Sequence, residues 1–153
     1  MTQVLLGEHG AMYPLLDLIE ARAPWAGLDV TRCLAACLEA TLISHACIEE
    51  EILTPAVSPH LPPAKPGPTD HDIIRDLLNS AIAATDPAKA RKLLLMTVAE
   101  TRKHFEKEET AIFPVAAREL TRQVQEELGS MWAFKRGVRA GRSRDHRCRS
   151  VPE

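Results

Sequence analysis

Apolar positions recur at helical spacing in five stretches of the chain, and nowhere do they alternate as in a half-buried strand. In the first stretch, about 3–22, Leu5, Leu6, His9, Met12, Leu15, Leu16 and Ile19 share a face. Pro14 sits inside it, removing a backbone hydrogen bond, so a kink or a late start is expected there. The second, about 30–54 with Asp29 as its N-cap, aligns Leu34, Leu38, Thr41, His45, Ile48, Glu49 and Ile52. Six prolines between Pro55 and Pro68 then predict a stiff loop. The third, roughly 70–84 and capped by Thr69 or Asp70, presents Ile73, Ile74, Leu77, Leu78, Ala81 and Ile82. Asp86-Pro87 is a helix start signal. It opens a fourth stretch, about 87–113, with Leu94, Val98, Thr101, His104, Glu108, Ala111 and Ile112 inward and Pro114 closing it. A shorter fifth helix is expected at about 116–135. The predicted fold is all-α: an antiparallel up-down four-helix bundle over 1–136 with a short fifth helix, and a flexible basic tail over 137–153.

The predicted core faces carry chemistry where leucines would otherwise stand. His45-Ala-Cys-Ile-Glu49-Glu50 and His104-Phe-Glu-Lys-Glu108-Glu109 are two copies of one pattern, 59 residues apart, each with a proline ten residues after its histidine. Each copy is preceded by a lone histidine, His9 and His71. At i, i+4 spacing His and Glu stack one turn apart on one helix face. A carboxylate on a buried face is costly unless it is paired or bound to a metal. Imidazole and carboxylate together suit iron, manganese or zinc. The expected ligands are His9, His45, Glu49, His71, His104 and Glu108, with His9 and His45 on one metal, His71 and His104 on the other, and both glutamates bridging. Glu50, Glu51, Glu106 and Glu109 read as solvated charge around the site. His60, in the proline loop, and His146 read as surface residues.

Composition changes this picture little. Hydrophobic residues at 45% and charged residues at 26% are ordinary values for a soluble chain of 153 residues, which suits one domain. No apolar run reaches the roughly 18 residues of a membrane span, and MTQVLLGEHG shows no basic leader, so the expected location is the cytoplasm. Cys33, Cys37, Cys47 and Cys148 form no C-x-x-C pair and read as reduced thiols, Cys33 and Cys37 as small core residues. Charge is uneven. Residues 132–153 hold seven Lys or Arg against two acidic residues, while the rest holds twelve basic and nineteen acidic ones. Beyond Trp132 and Phe134 that tail lacks interleaved aromatics, so a solvated end is expected rather than a nucleic-acid or membrane contact.

The order H…HxxxEE…H…HxxxEE over residues 3–114 resembles the haemerythrin-like HHE cation-binding domains. That resemblance implies a four-helix bundle holding two iron ions, a non-haem di-iron centre bridged by two carboxylates and an oxo or hydroxo group. Zinc or manganese would be possible substitutes. Two departures separate the chain from the oxygen carriers of marine invertebrates. Arg75 stands where they place a second third-helix histidine, and the chain has H-x3-E where they have H-x4-D. Tyr13, four residues after His9, is near enough in sequence to reach a metal, with plain packing as its alternative role. A ferritin-like centre uses Glu-x-x-His on two helices, which the order here does not match. The expected partner is a small diatomic (oxygen or nitric oxide) or peroxide, with iron handling, repair or peroxide consumption as the enzyme-like alternative. A metal-responsive interaction module, docking a protein through the proline loop or basic tail, is the third class.

Overall fold

Two short π-helical turns, one in each copy of the repeated pattern, decide where the long helices go. The computed structural model describes residues 1–63 and 66–138 and contains no strand among them. Helix α1 spans Thr2–Arg22, α2 Leu28–Ile48, α3 Thr54–Val57, α4 Asp70–Ala83, α5 Pro87–Lys107, α6 Phe113–Glu119 and α7 Arg122–Lys135. The π turns are Glu49–Leu53, joining α2 to α3, and Glu108–Ile112, joining α5 to α6. In both, the residue before the proline donates its N–H five residues back, Thr54 to the Glu49 carbonyl and Phe113 to the Glu108 carbonyl. A proline inside an α-helix clashes with the carbonyl four residues earlier, and widening the preceding turn accommodates it.

Pro55 and Pro114 therefore do not end their helices as expected. Each sits in the first turn of a helical continuation. The extra residue in the turn also rotates the positions beyond it. Ala111, expected inward, is exposed, and Phe113 is buried instead. A uniform 3.6-residue period misses that change of phase.

Helices α1, α2, α4 and α5 share one core, in which Met12, Leu16 and Ile19 meet Leu38, Leu42, Ile74, Leu78, Leu94, Val98 and Phe105. A second cluster, from Leu5 through Ile52, Leu53 and Val57 to Phe113 and Leu128, fastens α3, α6 and α7 to the same body. Of the kink or late start expected at Pro14, the late start does not occur: helix α1 starts at Thr2 and continues through the proline. On α2, Ala35 and Leu42 point inward and Thr41 outward. Gly27, not Asp29, occupies its N-cap. Thr69 caps α4 in a reciprocal box with Asp72, and the Asp86 side chain caps α5, as the sequence predicts.

The expected fifth helix is divided. Helix α6 stops at Glu119, the backbone extends at Leu120, and Thr121 caps α7. Cys33, Cys37 and Cys47 are exposed free thiols, so the first two are not core residues. Leu28–His60 is long and apolar enough, by length and composition, to cross a membrane. Its inner face nonetheless carries the buried polar pair His45 and Glu49. The tail from position 139 onward, with His146 and Cys148, lies outside the described residues.

Candidate metal centre

All six residues expected to bind metal converge. His9, His45, Glu49 and Glu108 form one group of donor atoms, and Glu49, His71, His104 and Glu108 a second, each within 4.8 Å. The division is the one the repeat predicts, and the two groups share both glutamates. His45 Nε2 lies 3.1 Å from Glu49 Oε1, and His71 Nε2 3.4 Å from Glu49 Oε2, so the two oxygens face opposite histidine pairs. Glu108 Oε2 lies 3.4 Å from both His9 Nε2 and His104 Nε2. His9, His45, Glu49, His104 and Glu108 are buried, and His71 is half-buried.

The opposite nitrogen of three of the four rings meets a carboxylate. His9 Nδ1 is 2.8 Å from Glu109 Oε1, His45 Nδ1 is 2.7 Å from Glu8 Oε2, and His71 Nδ1 is 2.9 Å from Glu50 Oε1. A carboxylate at Nδ1 selects the Nδ1–H tautomer and turns the Nε2 lone pair inward, the arrangement that outer residues impose on metal-binding histidines. His104 is the exception. Its Nδ1 lies 3.6 Å from Asp70 Oδ2, too far for a hydrogen bond, and Lys107 Nζ takes that aspartate at 2.6 Å.

Glu50 and Glu109, read from sequence as solvated charge, thus orient His71 and His9. Sequence reasoning misses Glu8 and reads Asp70 only as a candidate helix cap. A signal for them exists: an acidic residue directly precedes each lone histidine, in Glu8-His9 and Asp70-His71. Tyr13 donates its hydroxyl to Glu109 at 3.0 Å, so it holds the carboxylate that orients His9. Burial, with Glu109 accepting its proton, pushes the Tyr13 pKa up to about 12. Arg75 occupies the matching place after His71, bonded to Asp72 and 3.8 Å from Glu50. His60 is exposed and belongs to neither group.

Helix α7 and Arg136, the residue that caps its C-terminus, reach the centre from outside. Trp132 Nε1 and Arg136 Nε donate to Glu8 Oε1 at 2.9 and 2.7 Å, and Arg136 Nη2 donates to Glu8 Oε2. Burial opposes ionisation of Glu8, but its bonds to His45, Arg136 and Trp132 outweigh that and hold the carboxyl at about 2. Burial likewise disfavours a charged His45, yet Glu49 and Glu8 beside it raise its pKa to about 9. Glu49 is held well below the usual carboxylate range, against its own burial, by His104, His45 and His71.

The unmet valences test whether a metal fits. Both oxygens of Glu49 and Oε2 of Glu108 are buried without a hydrogen-bond partner. Facing Nε2 atoms stand 2.9 Å apart in His9–His45 and 2.8 Å apart in His71–His104. With both rings neutral and protonated at Nδ1 the two lone pairs face each other, and either a proton or a metal cation between them relieves the contact; the raised pKa of His45 reflects the first. A metal cation in each group, held by the neutral rings, answers the orphaned carboxylate oxygens. The nitrogen and oxygen donor set suits iron, manganese or zinc.

An all-helical bundle with two linked His/Glu clusters in its interior defines a class of metal-binding helical proteins. The family model for the hemerythrin HHE cation-binding domain matches residues 67–143, half of the chain, and the protein belongs to that family. The matched span holds His71, His104 and Glu108, while His9, His45 and Glu49 precede it. No curated protein and no solved structure matches the chain.

Proposed function

We propose that the protein holds a pair of non-haem iron ions and uses them to bind or sense a small molecule such as oxygen, nitric oxide or peroxide. His9 and His45 serve one ion and His71 and His104 the other, with Glu49 and Glu108 shared between them. The single observation that carries this reading is Glu49: a fully enclosed carboxylate, without a hydrogen-bond partner, whose two oxygens face two different histidine pairs. When bound, the metals would supply Lewis acidity and one-electron chemistry. The chain supplies aimed imidazoles, a largely apolar surround and the shared carboxylates. Family membership supports metal binding in general, and the preference for iron over zinc or manganese rests on the resemblance of the complete motif.

The test is metal analysis with an optical spectrum on protein produced with added iron, before and after exposure to air. Two irons per chain with near-ultraviolet oxo-bridge bands are expected. A folded helical protein without bound metal would refute the reading.

A further inference from the structure

The half-buried carboxylate of Glu8 is gripped from the far end of the chain. Arg136 spans both its oxygens, Nε on Oε1 at 2.7 Å and Nη2 on Oε2 at 2.9 Å. Trp132 Nε1 adds a bond to Oε1 at 2.9 Å, and Oε2 is the oxygen that meets His45 Nδ1. Arg136 Nη1 also donates to the hydroxyl of Ser44, which directly precedes His45, and Lys135 pairs with Glu51 in the π turn. Helix α7 thus ties α1 to α2 on the outer side of His45. The sequence sets where this helix stops. Gly137, at φ +64°, returns its N–H to the Phe134 carbonyl, and Val138 returns its own to the Ala133 carbonyl. That is the helix end a left-handed glycine makes, and it leaves Arg136 as the capping residue.

Among the described residues no other ring-orienting carboxylate is held so firmly. Glu109, beside His9, takes one hydroxyl from Tyr13. Glu50, beside His71, has Arg75 at 3.8 Å, too far for a hydrogen bond. Resting on the metal reading above, we propose that Trp132 and Arg136 are positioning residues for the ion held by His9 and His45. They act through Glu8, and docking of α7 and filling of that side of the centre strengthen each other. A carboxylate fixed by a planar fork and an indole N–H has one rotamer, so the entropy of aiming His45 is already spent when metal arrives. The coupling is reciprocal by necessity: whatever the docked helix adds to metal affinity, metal adds to the docking of the helix.

The experiment separates aiming from packing. Trp132→Phe keeps a ring against the apolar cluster around Leu128 and removes the N–H. Arg136→Lys keeps the charge and loses the fork, and Arg136→Ala loses both. Each is made alone and together with Glu8→Ala. Arg122→Ala, which breaks the exposed Arg122–Glu126 pair on the same helix, is the control. Iron(II) affinity is measured without oxygen by competition with a chelator, with helicity of the metal-free proteins recorded alongside. Backbone hydrogen exchange over residues 122–138 is followed by mass spectrometry with and without iron(II).

Arg136→Ala should weaken one of the two irons about tenfold, the lower end of the range for an outer partner, and leave the other as it was. Arg136→Lys and Trp132→Phe should each weaken it less, and Arg122→Ala not at all. Iron(II) should slow exchange over α7 in the wild type and not in Glu8→Ala. In the Glu8→Ala background the three substitutions should cost no further affinity. Wild-type affinity for both irons in Arg136→Ala would overturn the proposal. So would an equal further loss in the Glu8→Ala background, which would mark α7 as a structural prop. A wild type that takes up no iron would sink the metal reading and this proposal with it. Faster α7 exchange in metal-free Arg136→Ala than in metal-free wild type would still establish the grip on Glu8.

Discussion

The His9–His45 side and the His71–His104 side of the centre have the same donors and different surroundings. On the first side both outer nitrogens are held by carboxylates within 2.8 Å, and a phenyl ring seals the inner histidine. On the second, His71 is held by the exposed Glu50 and His104 Nδ1 has no hydrogen-bond partner. Repetition of a short motif fixes which atoms converge. The residues beside the motif fix how firmly they are aimed. The donor set and its support are thus written at different positions of the chain.

The largest effects should separate shared donors from unshared ones. Glu49→Ala or Glu108→Ala should abolish both metals, whereas His9→Ala and His71→Ala should each leave the opposite metal in place. Metal content per chain reads this directly, and loss of both ions from His71→Ala would show that the sides do not fill independently. Next come the outer carboxylates. Removing such a partner lowers metal affinity by about 10–100-fold. Glu109→Ala should lie toward the top of that range and Glu50→Ala toward the bottom, because Glu109 is the more enclosed of the two and is tied down by Tyr13. Equal losses in competition with a chelator would erase the distinction drawn between the sides.

The smallest effect concerns protons. The His45 pKa rises from 6.5 to about 9 on folding of the metal-free chain. The stability this gives is fully present below pH 6.5 and is lost as pH rises through 9. His71 shifts in the same direction, held up by Glu49 and Glu50 against its own burial. Metal-free protein should therefore melt at a lower temperature at about pH 9.5 than at about pH 6. Glu8→Gln, which takes a negative partner from His45, should shrink that difference more than Glu50→Gln does. A melting temperature that rises over this interval would contradict the sign of the shift. With metal bound the linkage reverses, since the ligand form of His45 is the neutral one, and affinity should fall as pH drops.

Much of the centre is legible in the sequence because the donors obey a single rule, His and Glu at i, i+4 on a face otherwise made of leucine. His45, Glu49, His104 and Glu108 can be read from that rule alone. Their surroundings cannot. Glu50 and Glu109 look solvent-facing from their own helices, and only the packing of α4 beside α2 and of α1 beside α5 brings His71 and His9 to them. Trp132 and Arg136 act on Glu8 across more than 120 residues, a pairing no local period encodes. The helix ends differ from expectation for another reason. Proline is a reliable stop for an α-helix, but one extra residue in the preceding turn lets Pro55 and Pro114 start new helical turns instead.

The carboxylates that hold the lone histidines are exchanged: Glu50 of the first half holds His71 of the second, and Glu109 of the second holds His9 of the first. This reciprocity is what two identical subunits show across a two-fold axis, where each completes the other. Identical subunits, however, must change both faces at once. Joined in one polypeptide, the halves have become unequal, with phenylalanine at one position and alanine at its counterpart, tyrosine at one and arginine at the other. A single covalent chain is what permits two matching His/Glu clusters to differ in the residues that lie against them.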